Sequence, residues 1–266
     1  MRKLIMQVLV FVLMGWGISQ AKEPPLPANK TPSQTNEASP QGKESPAQTP
    51  ENPTQKETSQ GYDLAIAKGV HLLDEKRYEE AIGAFQEALL SRSNDTVATY
   101  YLGSAQRLAG QYQLAYGPLK QVDSSFQKVH FDLAVSAYHT ERYDESILAL
   151  TSAQSFEFEP GARQAMVPYY LGLNYLQLKR FEDAAPQFLR AGSLSEELAI
   201  SARYYSGVAF YRQGILEEAQ EAFEEVIEGV IEGAEASPMI QSAKAFLKEI
   251  EKKSPRINKW NITTSL

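Results

Sequence analysis

Cysteine is absent from this chain, and histidine occurs only at positions 71, 130 and 139. The first absence excludes a disulfide framework, a thiol nucleophile, a thiolate metal site and a lipid-modified N-terminal cysteine. The second leaves little for metal binding. His71, His130 and His139 are not expected to pair with one another or with a carboxylate at helical i, i+4 spacing, so no metal and no cofactor are expected. Glycine-rich phosphate loops and nucleophile elbows are missing too. The adjacent pairs Glu79–Glu80, Glu217–Glu218 and Glu224–Glu225 diverge on a helix instead of converging as an acid and a base. With no reactive constellation, the chain is expected not to be an enzyme. Positive charge is also scarce: 26 Lys and Arg stand against 33 Asp and Glu. The first 21 residues carry +2 and residues 22–61 carry −1, which leaves −8 on the remainder of a chain whose total is −7. So acidic a body does not suit the phosphate backbone, and nucleic acid is excluded as a partner.

Long hydrophobic runs are limited to one place. Arg2 and Lys3 precede "LIMQVLVFVLMGWG", and small residues follow at Ser19 and Ala21. This is the layout of an export signal, with cleavage expected after Ala21 and a periplasmic or secreted destination. The apolar run falls short of the roughly 20 residues that span a bilayer, which favours a cleaved signal over a retained anchor. Residues 22–61 contain eight prolines and no aromatic residue. Such a segment buries too little apolar surface to offset its chain entropy, and it reads as a disordered linker. Its proline-rich stretches also suit an aromatic groove, although no specific recognition core stands out.

What the chain has in quantity is one phrase. "RYEEAIGAFQEAL" at 77–89 returns as "QYQLAYGPLKQV", "RYDESILALTSA", "RFEDAAPQFLRA" and "LEEAQEAFEEV". Small residues mark it at Ala81, Ala115, Ser146, Ala184 and Ala219, at intervals of 34, 31, 38 and 35. Four residues after each comes Phe85, Leu119, Leu150, Phe188 or Phe223. Three further on lies Ala88, Val122, Ala153, Ala191 or Val226. Spacings of four and three place each trio on one helical stripe. Twelve residues before each mark stands a second small residue: Gly69, Gly103, Ala134, Gly172 and Gly207. A helical glycine is about 1 kcal/mol worse than alanine, so four in one phase point to close approach of paired antiparallel helices. Tyr78, Tyr112, Tyr143, Phe181 and Leu216 are expected to open the second helices, after short turns. The "FEFEPGARQAMVP" stretch before the fourth unit predicts a long loop or a lengthened helix.

A helix–turn–helix period near 34 residues resembles the tetratricopeptide repeat (TPR). The resemblance covers residues 62 to about 229. It departs from the family where Ala65, Thr99, His130, Pro168 and Arg203 replace the first helix's usual aromatic, where most closing prolines are missing, and in the third unit, with Ala134 and Ser146. It implies an all-α fold: a right-handed helix–turn–helix solenoid of about five TPR repeats over 62–253, ending in a capping helix. "SPMIQSAKAFLKEIEKK" fits the cap, with Ser237 as N-cap, Pro238 in the first turn and a stripe of Ile240, Ala243, Leu247 and Ile250. The resemblance also implies a concave groove. Its lining would include Ile66, Tyr100, Phe131, Tyr169 and Tyr204, three residues before the small marks. Arg107, Tyr138 and Tyr211 follow four residues after them. That aromatic ladder suits a protein or peptide partner, while the same tyrosines also suit plain packing. The basic clamp that some relatives use for a terminal carboxylate is absent.

After Pro255, Trp260, Ile262, Thr264 and Leu266 alternate with polar residues, a strand pattern in an otherwise helical chain. Residues 254–266 read as an extended tail or as the start of a β-structure. Two functions follow as expectations. The first is an exported scaffold that binds a protein partner, associated with envelope or outer-membrane assembly. The alternative is the periplasmic TPR portion of a truncated outer-membrane β-barrel that exports polysaccharide.

Overall fold

The computed structural model describes residues 53–154, 162–229 and 237–253. The signal and tail expectations, most of the linker, and residues 156–161 of the expected insertion lie outside them. Eleven helices and no strand occur among the described residues. They are α1 (Pro53–Asp74), α2 (Tyr78–Ser91), α3 (Thr96–Leu108), α4 (Tyr112–Gln121), α5 (Val129–His139), α6 (Tyr143–Gln154), α7 (Ala162–Gln177), α8 (Phe181–Leu194), α9 (Glu196–Gln213), α10 (Leu216–Glu228) and α11 (Pro238–Lys253). Five helix hairpins and a final helix result. Each second helix begins on the aromatic or leucine that the repeat pattern singles out.

Two compact units divide these helices at residues 123 and 124: α1–α4 in one, α5–α11 in the other. In the first unit, α1 starts at Pro53, within the stretch that composition assigns to linker. Proline is well placed at the first turn of a helix, and the Gln, Lys and Glu that follow are good helix formers. The helix is then tied down by Tyr62. Its ring lies 4.0 Å under the Arg92 guanidinium, and its hydroxyl donates to Asp95 Oδ1 at 2.6 Å. Asp95 also caps α3 by accepting from the Ala98 amide at 2.8 Å. In the second unit, α7 takes in residues 162–168, so this part of the insertion is a lengthened helix.

The hairpin turns share one geometry. A residue in the left-handed region stands at Lys76, Gly110, Glu141, Lys179 and Gly214. The next amide reaches back across the turn in every case: Arg77 N to Leu72 O, Gln111 N to Gln106 O, Arg142 N to Ala137 O, Arg180 N to Tyr175 O, and Ile215 N to Phe210 O. This is the Schellman closure, which satisfies carbonyls left open at a helix end. Glycine takes that conformation freely at 110 and 214. Elsewhere Lys and Glu carry a cost of about 1–2 kcal/mol.

The glycines make the close approach that their spacing predicts. A Cβ built on Gly69 would lie 2.4 Å from the Phe85 ring, and one on Gly103 would lie 2.6 Å from Leu119 Cγ. The same contact recurs between Gly172 and Phe188 at 2.8 Å, and between Gly207 and Phe223 at 3.0 Å. Each glycine therefore receives the large residue of the second helix. The alanine marks lie fully buried one turn earlier.

The third hairpin replaces that arrangement with polar contacts. Ser146 Oγ donates to Ala134 O at 2.8 Å and accepts from Asn174 Nδ2 at 2.9 Å. Asn174 Nδ2 also donates to Tyr170 O at 2.7 Å, and its side chain is fully buried on α7. A serine where the other repeats carry alanine is thus answered by an asparagine in the next repeat. Asn174→Ala should cost about 1–3 kcal/mol, because it empties a fully buried site and removes the bond that Ser146 Oγ accepts. Adding Ser146→Ala should then cost little more. A double-mutant cycle by chemical denaturation checks this, and strict additivity would show that the two side chains are not coupled.

Candidate partner-binding surface

The residues singled out for the groove lie on the first helices, in the expected phase. Tyr100 on α3 is 1% exposed, and its ring centroid is 5.3 Å from that of Tyr101. Phe131 and Tyr138 on α5 meet Tyr170 edge-on at 6.2 and 5.5 Å. Tyr169 on α7 packs on Phe188 at 5.7 Å and on Tyr205 at 6.0 Å. Tyr204 on α9 packs on Tyr205 and Phe223. Tyr100, Arg107, Phe131, Tyr138, Tyr169 and Tyr204 are all buried, whereas Ile66 and Tyr211 are half-buried. An open ladder of exposed rings is therefore not what the structure holds, because each helix's neighbours close over these positions. Burial also acts on the phenols. The Tyr169 hydroxyl is pushed up to about 12, and Tyr138, Tyr204 and Tyr205 are raised for the same first reason.

The second tyrosine of each "YY" pair has a role that repeat reasoning misses. Tyr101 stacks on Phe85 of the preceding hairpin at 5.3 Å, and Tyr205 stacks on Phe188 at 5.4 Å. Both are contacts between hairpins, so the pair serves two directions at once. Tyr101 and Tyr205 both stand two residues before a glycine mark, Gly103 and Gly207, and that shared place was the available signal.

Helix α11 closes the last hairpin. Tyr204 Oη and Ser242 Oγ are 2.8 Å apart. Tyr211 donates to Glu249 Oε2 at 2.6 Å and accepts from Lys253 Nζ at 2.6 Å. Phe246 stacks flat on Phe223 at 4.9 Å. Two of the groove positions are thus engaged by the capping helix. Ile240, Ala243 and Ile250 are buried as the stripe predicts, with Leu247 half-buried.

Little reactive chemistry accompanies these surfaces. Among the described residues, no three His, Asp or Glu side chains gather as a metal site. One expectation needs correction: His71 does face a carboxylate at i, i+4, with Nε2 3.5 Å from Glu75 Oε1. The pair is exposed, and Arg77 holds the same carboxylate at 2.9 Å. A single solvated His–Glu contact shared with arginine offers no cation site. A cleft between α8, α9 and α10 is lined by Phe188, Leu189, Ile200, Arg203 and Glu225, with the last two paired at 2.6 Å.

Hairpins that repeat one contact set and pack on their neighbours define a helical repeat scaffold. A family model for the tetratricopeptide repeat matches residues 66–125 and 169–236. The chain is a tetratricopeptide-repeat protein. No curated protein matches it as a relative. Among solved structures, a MamA protein is similar at 20% identity and a TM-score of 0.55, over 67% of this chain and 95% of its own. MamA from Desulfovibrio magneticus RS-1 is 21% identical with a TM-score of 0.54, over 63% and 94% of the two chains. YrrB, described as a TPR protein with an unusual peptide-binding site, is 15% identical with a TM-score of 0.58, over 72% and 96%. These likenesses establish the fold.

Proposed function

We propose that this protein is an exported scaffold that holds a protein or peptide partner along the first helices of its repeats, in envelope assembly. One observation carries the reading: each first helix presents the same two positions in one phase, and aromatics dominate them. The peptide-binding site described for YrrB supports a partner of this class. Because most of these rings are buried, such a partner reads the edges that remain open, the half-buried Tyr211 among them. The basic start and apolar run before Ala21 support export. A second reading, the periplasmic part of an outer-membrane export protein, draws on the alternation from Trp260 to Leu266. Reading the gene past codon 266 separates the two.

Capture from an envelope extract tests the first reading. Tyr169→Ala with Tyr204→Ala should weaken retention of the captured partner by about a thousandfold, since two aromatic anchors are each worth about 2 kcal/mol. Tyr101→Ala with Tyr170→Ala removes the neighbouring rings and should leave affinity unchanged in the folded fraction. Circular dichroism on both variants separates lost binding from lost folding. Full retention by a folded Tyr169/Tyr204 variant would place the partner elsewhere.

A further inference from the structure

Helix α11 is more than a lid. Tyr204 meets Ser242 and Tyr211 meets Glu249, each pair 38 residues apart. The constant offset lays α11 along α9 as the first helix of a further repeat, and it makes Ala245 the counterpart of Gly207. In complete repeats that position is roofed by a large side chain of the second helix, as Gly207 is by Phe223. In α11 it is open. Gln241, Ala245, Lys248 and Lys252 form one exposed stripe at spacings of four, three and four, with Lys244 exposed beside it.

That stripe carries no acid, although the whole chain has a net charge of −7. Glu249 is turned aside to Tyr211, and the exposed Glu251 lies on the flank beside Lys244. The α9–α10 pair shows what fits such a face. Phe223 covers Gly207, and because the hairpin is antiparallel the acids that open the second helix, Glu217 and Glu218, stand beside the end of the first, where the 38-residue offset places Lys248 and Lys252. We propose that the outer face of α11 docks an acidic amphipathic helix of a partner protein, which stands where a second helix would stand. Its large apolar residue sits over Ala245, and its Glu or Asp side chains meet Lys248 and Lys252. The residues after α11 do not match this chemistry, since 254–266 include Arg256 and Lys259 and no acid.

The probe is a fluorescein-labelled peptide with the sequence of residues 215–228, the chain's own acidic second helix supplied in trans to the full chain. Fluorescence anisotropy should show saturable binding that weakens with added salt. Lys248→Glu with Lys252→Glu, and separately Ala245→Arg, should each weaken it by about tenfold or more. Lys68→Glu with Lys179→Glu makes the same charge change at other exposed sites and should leave binding unaltered. A photo-reactive phenylalanine at the peptide's aromatic position should label residues 244–252. Absence of binding, equal loss in the control pair, or labelling elsewhere each overturns the proposal and leaves α11 a solvated end.

Discussion

Raising the pH from about 10 to about 12 is expected to unfold the protein cooperatively, with phenolate absorbance and loss of helicity rising together. An unfolded tyrosine titrates near pH 10. In the folded chain, burial raises Tyr169 to about 12 and sets Tyr138, Tyr204 and Tyr205 above their ordinary value. The folded state therefore holds these protons more tightly than the unfolded one. The resulting stability is complete below pH 10 and is lost as pH climbs through the folded values. Each unit above the unfolded value removes about 1.4 kcal/mol per buried phenol. Tyr169 alone loses this much per unit between pH 10 and about 12, and Tyr138, Tyr204 and Tyr205 act in the same direction, against a typical total stability of roughly 5–15 kcal/mol. Deprotonation of lysines on an already acidic chain acts in the same direction. Phenolate appearing along a simple curve near pH 10, with helicity intact, would mean that these hydroxyls are open to solvent.

Gly172→Leu should produce a large loss of stability. A Cβ there would lie 2.8–2.9 Å from three atoms of the Phe188 ring, and that ring is fully buried between α7, α8 and α9. Ordinary overpacking costs about 1–3 kcal/mol, and the Phe188 ring is already held between Tyr169 and Tyr205. Gly83 on α2 is the contrast. It is exposed, with nothing within 4 Å of its Cβ position, so Gly83→Ala should stabilise by about 0.5–1 kcal/mol through helix propensity. Glu79→Gln, on an exposed face of the same helix, should be nearly silent. Denaturant unfolding of the three variants measures the differences. If Gly172→Leu and Gly83→Leu behaved alike, the close approach of α7 and α8 would be wrong.

The repeat register was readable because its signals are local. Small and large residues at spacings of four and three define a helical face whatever lies beyond it, and the second helices begin at Tyr78, Tyr112, Tyr143, Phe181 and Leu216 as that pattern requires. Turn positions were as legible, since the left-handed residues at 76, 110, 141, 179 and 214 repeat the same intervals. The start of α1 was not. Composition weighs a window and reads proline as disorder, whereas Pro53 occupies the one helical turn that tolerates it.

That this chain forms helix hairpins, and where each one turns, could be read from its residues. Those properties follow from periodicity, steric size and residue inventory, which act within a few residues of one another. Tertiary structure alone decided which tyrosines face outward. Exposure depends on the residues that close over a side chain: Tyr169 is shut in by Phe188 and Tyr205, and Tyr204 by Tyr205 and Phe223. The Ser146–Asn174 bond and the 38-residue offset of α11 belong to the same class. Both join residues far apart in the chain, and no local pattern constrains such a pair until neighbouring hairpins have packed.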